Sequence, residues 1–254
     1  MRHALRKNLA GFTLIEMITV IIIIGTLSAA ISTYVKFSTE IYTNSTAREQ
    51  LSTSVRFALE RFSRDVRNAL PNSLRLINGN QCLELTPIVE STTYTKIPVP
   101  PASMSNTVEV IPFNEAFSSD WKIVVYPLKP EDVYPLISSN IDKIHDVASI
   151  IQTNADKWII TLDNSVHFAE QSPTQRLYFV DSNETVTYCL QGTTLTRNAT
   201  LIAQDIVNLD SATPPFEILS ATLQRNAMVQ IKLILQKNNE TITFNHEIQV
   251  LNVP

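Results

Sequence analysis

From Phe12 to Val35 the chain is predominantly apolar, and its only charged side chain is Glu16. A run of that length and composition can cross a bilayer as a helix. The next stretch, Lys36 to Thr46, is polar and rich in Ser and Thr. Apolar positions then return at Leu51, Val55, Ala58, Leu59, Phe62, Val66 and Ala69. Intervals of three and four residues put them on one face of an α-helix. Glu60 and Arg64, four apart on the other face, add weak helix support. Pro71 marks the end and biases Leu70 out of helical geometry. Two readings fit the middle. Either one helix runs from Phe12 to Ala69, or a second helix starts near Asn44, where Thr43-Asn44-Ser45-Thr46 are poor helix formers and Thr46 with Glu49 matches a capping box.

Beyond Pro71 the period shortens. Leu83 to Ile88, Thr107 to Ile111 and Trp121 to Tyr126 read as strands, separated by Pro-rich loops at Pro98 to Pro101 and Pro127 to Pro135. Ile141, Ile144, Val147, Ala148 and Ile151 have helical spacing, with Ser139 or Asn140 as cap, and predict a short helix. Strands are expected again at Trp158 to Leu162, Arg176 to Val180, Val186 to Leu190 and Leu195 to Arg197, with Gly192 turning the chain before the last. The C-terminal part has the clearest alternation. Ile218 to Gln224 pairs with Met228 to Gln236 across Arg225-Asn226-Ala227, and Thr241 to Val250 follows the turn at Asn238-Asn239-Glu240. Ile231, Leu233 and Leu235 share one face, matched by Ile242, Phe244, Ile248 and Val250 on the partner strand. Such a sheet buries one face, and the stripe ending at Ala69 is the surface available to bury it against.

Charge changes the picture at the two ends of the apolar run. Arg2, Arg6 and Lys7 precede it, which by the positive-inside rule holds that end in the cytoplasm and makes everything beyond Val35 extracytoplasmic. The 254 residues carry a formal charge of −4, which becomes −7 once those three cations are removed. An acidic chain of this kind lacks the basic footprint of a nucleic-acid binder. Glu16 is the anomaly, since even the mildest insertion scales charge about 2.5–3.5 kcal/mol for an acid at mid-membrane. From position alone it either reaches back to the headgroups at the positive end of the helix dipole, or waits for a cation supplied by another subunit.

Gly11-Phe12-Thr13-Leu14-Ile15-Glu16, after a basic leader and before the aliphatic run through Ile24, resembles the class III signal of type IV pilins and of the pseudopilins of type II secretion. The resemblance implies cleavage between Gly11 and Phe12 by a prepilin peptidase and methylation of the new Phe12 amine. It also implies that Glu16 pairs with the Phe12 ammonium of a neighbouring subunit, and it favours one continuous helix over two. An ordinary signal peptide is cut after its apolar region, at small residues; a cut at Ser28-Ala29-Ala30 would leave a chain starting near Ile31. Later segments resemble, more loosely, minor pilins of the mannose-sensitive haemagglutinin (MSHA) pilus type, W-type minor pilins and J-type pseudopilins. These are Phe168 to Val180, with Ser172, Pro173 and Arg176; Val186 to Arg197, with Tyr188, Cys189 and Gly192; and the closing Asn252-Val253-Pro254.

The implied fold is α+β and pilin-like: a long N-terminal helix, its first half in the membrane, packed on an antiparallel β-sheet domain. Its expected parts are a leader (1–11), a membrane and filament-core helix (12–35), an amphipathic continuation (36–70) and a periplasmic β-rich domain (71–254). Implied partners are other major and minor pilins, the prepilin peptidase, the inner-membrane assembly platform and the lipid bilayer, with no nucleic acid. The implied location is the inner membrane, then the filament at the cell surface. Cys82 and Cys189, the only cysteines, both fall in the extracytoplasmic part, where an oxidising compartment favours a disulfide over two buried thiols in neighbouring strands.

Catalytic patterns are missing from the sequence. Four glycines leave room for no P-loop, dinucleotide fingerprint or nucleophile elbow. His145, His167 and His246 lack metal-site spacing and read as surface or half-buried histidines. Glu131-Asp132 and Asp142 with Asp146 are not arranged as a calcium loop, so solvated carboxylates are expected. Neither enzymatic activity, cofactor nor metal is expected. Three functions stand: a minor pilin that primes and caps a pilus, a type II secretion minor pseudopilin, and a membrane-anchored enzyme or ligand-binding domain that borrows the signal.

Overall fold

The computed structural model describes residues 11–113, 117–135, 141–153, 156–208, 213–219, 227–238 and 240–250. The chain divides into two compact units, Met1–Glu49 and Gln50–Pro254. One helix, α1 (Leu14–Arg67), runs unbroken through the division. The break considered at Asn44 does not occur. Ser and Thr are tolerated because their hydroxyls donate back to carbonyls one turn earlier, as Thr39 does to Val35 (2.8 Å), Thr43 to Glu40 (3.0 Å) and Ser54 to Leu51 (3.0 Å). The helix stops at Arg67 because the next backbone groups are claimed elsewhere. The Asn68 carbonyl accepts the Ile88 N–H (2.9 Å), and the Leu70 N–H donates to the Thr86 carbonyl (2.8 Å).

Among the described residues, eight strands come first in the second unit: β1 (Arg75–Ile77), β2 (Cys82–Leu85), β3 (Glu90–Lys96), β4 (Ser105–Val110), β5 (Trp121–Val124), β6 (Ile141–Asp142), β7 (Ile144–Gln152) and β8 (Trp158–Phe168). Seven more follow: β9 (Arg176–Asp181), β10 (Val186–Gln191), β11 (Thr194–Arg197), β12 (Thr200–Ala203), β13 (Phe216–Leu219), β14 (Met228–Lys237) and β15 (Glu240–Gln249). The architecture is thus the α+β, helix-on-antiparallel-sheet arrangement expected.

A five-stranded sheet, β1-β2-β10-β11-β12, and a three-stranded sheet, β13-β14-β15, share one core with α1. The helix contributes Leu51, Val55, Ala58, Phe62 and Val66, all at most 2% exposed. Facing them are Leu83, Tyr188, Leu195, Phe216, Ile231 and Leu233. Burial along β14 alternates without a miss from Met228 to Leu235, as the sequence pattern demands. Asp65 fastens the same helix to the sheet from the core's margin. One of its oxygens accepts both the Tyr188 hydroxyl (2.7 Å) and the Arg197 guanidinium (2.6 Å). Burial, and then the Asp65 carboxylate, push the Tyr188 phenol well above its ordinary pKa, so it remains a donor.

The third sheet runs β4-β3-β9-β5-β7-β8-β6, and β4 pairs again with β8. The ring β4-β3-β9-β5-β7-β8 therefore closes into a six-stranded barrel, with β6 lying parallel to the end of β8. Val108, Trp121, Ile123, Ile160 and Phe179 are among the side chains that fill it. Closure removes the free edges that an open sheet of these strands would present.

The helix expected at Ile141 to Ile151 is instead strands β6 and β7. Register shifts between Val147 and Ser149 where β7 meets β8. A shift of that kind breaks strict alternation, so the apolar residues fall at intervals of three and four although the backbone is extended. β-Branched Ile and Val at most of those positions favour the strand. The proposed caps Ser139 and Asn140 lie outside the described residues, as do the leader cations Arg2, Arg6 and Lys7 and the closing Asn252-Val253-Pro254. Of the strand expected from Ile218 to Gln224, β13 is described as far as Leu219, and 220–226 lie outside. Strands β1, β3 and β12 have no counterpart in the sequence reading.

Cys82 and Cys189 stand directly opposite each other on β2 and β10 and form a disulfide. It closes a loop of 107 residues. Replacing both by alanine is expected to cost about 2–4 kcal/mol, towards the upper end because the loop is long. The expected readout is a lower thermal midpoint for the double variant, and a similar fall in the wild type only after reduction.

Candidate assembly and processing site

The helix begins where the Thr13 carbonyl accepts the Glu16 and Met17 N–H groups, both at 3.2 Å. Leu14 is the first helical residue, so Glu16 sits in the first turn, where a carboxylate meets the positive end of the helix dipole. Gly11 and Phe12 precede the helix in non-helical backbone. Phe12 is 78% exposed, and a Cβ added at Gly11 would meet nothing within 4 Å. The fold therefore places no steric demand for glycine at position 11.

Every residue from 11 to 43 is exposed in the single chain. The most apolar 18-residue window there has a mean hydropathy of 2.4, and none of it is buried. A helix apolar on all sides needs a lipid or protein surround. Glu16 is the lone ion within it, close to the Gly11–Phe12 peptide bond, whose two residues are exposed among the described residues.

Residues 6–32 match the family model of the prokaryotic N-terminal methylation motif. This match supports a type IV pilin or pseudopilin, and with it interaction with other pilins and processing by a prepilin peptidase. The N-terminal apolar helix, the one of its kind among the described residues, fits the membrane anchoring of such a protein. No curated protein and no solved structure is detectably similar to the chain.

The other sequence candidates are engaged in the fold. His145 is buried, contrary to its surface or half-buried reading: it is 7% exposed, its Nε2 lies 3.1 Å from the Asp142 carbonyl, and its ring stands edge-on to Phe168. Burial lowers its pKa. His167 Nε2 lies 2.7 Å from the Ala102 carbonyl, and His246 Nε2 2.8 Å from the Ser63 hydroxyl. Of the carboxylates considered for calcium, Glu131 is exposed as expected, whereas two others have partners. Asp132 accepts the Leu128 N–H (2.8 Å) and faces Lys143 at 3.6 Å, while Asp146 pairs with Lys122 at 3.0 Å. Asp65 is the residue that sequence reasoning missed. On the helix it resembles any flanking acid, with Arg61 four residues before it at 3.5 Å, and its partners on the sheet lie more than 120 positions away.

Proposed function

We propose that the chain is a minor pilin, a low-abundance structural subunit that primes assembly of a type IV pilus of the MSHA type and sits at or near its tip. The observation that carries this reading is the methylation-motif match spanning the leader and the fully exposed apolar helix, with Glu16 in its first turn. A peptidase cuts after Gly11, where exposed, non-helical backbone can enter a protease cleft. The cut leaves a Phe12 amine that is then methylated. Glu16 of one subunit meets the Phe12 ammonium of the next, because two charges held in hydrocarbon cost far less together than apart.

The protein is structural rather than catalytic, and uses no cofactor. Its N-terminus is cytoplasmic before processing, its β-rich unit lies in the periplasm, and its partners are major and minor pilins and the inner-membrane assembly platform. The loose likeness of Phe168 to Val180 and Val186 to Arg197 to MSHA-type minor pilins favours a pilus over a secretion pseudopilus.

Sequencing the mature N-terminus and deleting the gene test the reading together. The expected results are a chain starting at methylated Phe12, and loss of surface filaments with export of folded enzymes intact. A chain starting near Ile31 contradicts the pilin assignment. Loss of export with filaments retained contradicts the pilus and favours a type II secretion pseudopilin.

A further inference from the structure

Charge is not spread evenly along the chain. Residues 71–254 hold 11 basic and 19 acidic side chains, a net −8, although the whole chain is only −4. The outer side of α1 runs against that balance. Leu51, Val55, Ala58, Phe62 and Val66 turn one side of the helix into the core. At about 3.6 residues per turn, Arg56, Arg61, Arg64 and Arg67 then fall on the side turned away from it. Glu60 is the one carboxylate among them, 3.7 Å from Arg64. Asp65, at the margin, lies 3.5 Å from Arg61 but is committed to Tyr188 and Arg197 on the sheet. Arg56 and Arg67 have no ion-pair or hydrogen-bond partner among the described residues.

Phe57 stands on the same side. It is 65% exposed, more than any other large apolar side chain described in the second unit. Arg61 and Arg64 lie one and two turns beyond it. There Glu60, Arg61, Arg64, Arg67 and Asn68 line an open groove. Protein surface that meets only water is richer in Lys and Glu, whereas Arg and aromatic residues are enriched where two proteins meet. This side of α1 has four Arg, no Lys and one Glu around an aromatic ring. A guanidinium fork also grips a carboxylate at two points, which an ammonium cannot do.

We infer that this side of α1 docks the acidic face of a different pilin subunit's β-rich unit. Phe57 is the apolar anchor, and Arg56, Arg64 and Arg67 pair with the neighbour's carboxylates. The identity of the partner rests on the pilin reading, because subunits inserted in one membrane with the same orientation keep their stems parallel and stand side by side. The charge of −8 over residues 71–254 is what a β-rich unit of this architecture offers such a surface. Exposed ion pairs contribute little affinity one by one. Desolvation of Phe57 and confinement to the membrane supply the affinity, and the arginines exclude neighbours of the wrong sign.

The full-length chain with photoreactive benzoylphenylalanine in place of Phe57, expressed in its native cells and irradiated, tests the docking. Peptide mass spectrometry is expected to place the adduct on an Asp- or Glu-rich segment of another protein that carries a class III signal. Arg56→Gln, Arg64→Gln and Arg67→Gln together are expected to lower that adduct at least tenfold. They are expected to leave the thermal midpoint within a few degrees of the parent's, since none of the three belongs to the core. Absence of an adduct, an adduct with lipid, with a second copy of this chain or with a segment free of carboxylates, or an adduct indifferent to the three substitutions in a folded variant overturns the docking. Sequencing the N-terminus of the same material keeps the two readings apart. Failure in a chain that starts at methylated Phe12 overturns the docking alone, whereas a start near Ile31 removes the pilin reading and the neighbour with it.

Discussion

Glu16→Ala is expected to fold, insert and be processed normally, yet to enter assemblies at a level on the order of 100-fold lower than wild type, taking the low end of the cost of breaking a buried ion pair (about 3 kcal/mol). Folding is spared because Glu16 lies in a unit separate from the β-rich one and contacts nothing that holds the latter together. Insertion is spared because the substitution makes the run more apolar. What is lost, on the proposed pairing, is the anion that would compensate a neighbour's Phe12 ammonium. Glu16→Gln separates charge from size: it retains the volume and a hydrogen-bonding end, and is expected to fail nearly as badly. Immunoblots of sheared surface filaments against membrane fractions give the readout. Normal incorporation of either variant contradicts the pairing.

Phe62→Ala is expected to cost about 3–5 kcal/mol of stability in the β-rich unit. Phe62 has no exposed surface. Its ring stands edge-on to Tyr188 at 5.0 Å and packs against Phe216 at 5.9 Å. Tyr188 belongs to the five-stranded sheet and Phe216 to the three-stranded one, so this one ring touches both and the truncation opens a cavity where they meet. Because typical domains are stable by only about 5–15 kcal/mol, the variant is expected to be proteolysed in the cell while its apolar helix still partitions into membrane. Chemical denaturation gives the number; a loss under about 1 kcal/mol would show that the core collapses to fill the space.

How much of this was legible in the chain follows from how local each signal is. The stripe from Leu51 to Ala69 declares its face because a helix repeats its contacts every turn. The β14–β15 pair declares itself through ten residues of alternation with a short turn between. Strand β3 is almost silent, since Tyr94 is its one fully buried side chain; its Thr-rich sequence was the available hint. Strand β7 misled because a register shift imitated a helical period. Barrel closure was beyond reach, for it depends on β4 meeting β8 some fifty residues later. The candidate site is the opposite case. Gly11, Phe12 and Glu16 are read from six adjacent residues, while the partner proposed for Glu16 lies on another molecule.

Zero-length carbodiimide coupling of assembled subunits, followed by peptide mass spectrometry, tests the central claim most directly, because it joins only a carboxylate and an amine already in contact. The account predicts an amide between Glu16 of one subunit and the Phe12 amine of another, absent from Glu16→Gln. Assemblies in which the Phe12 amine couples to other carboxylates and never to Glu16, or in which the leader is still attached, contradict it.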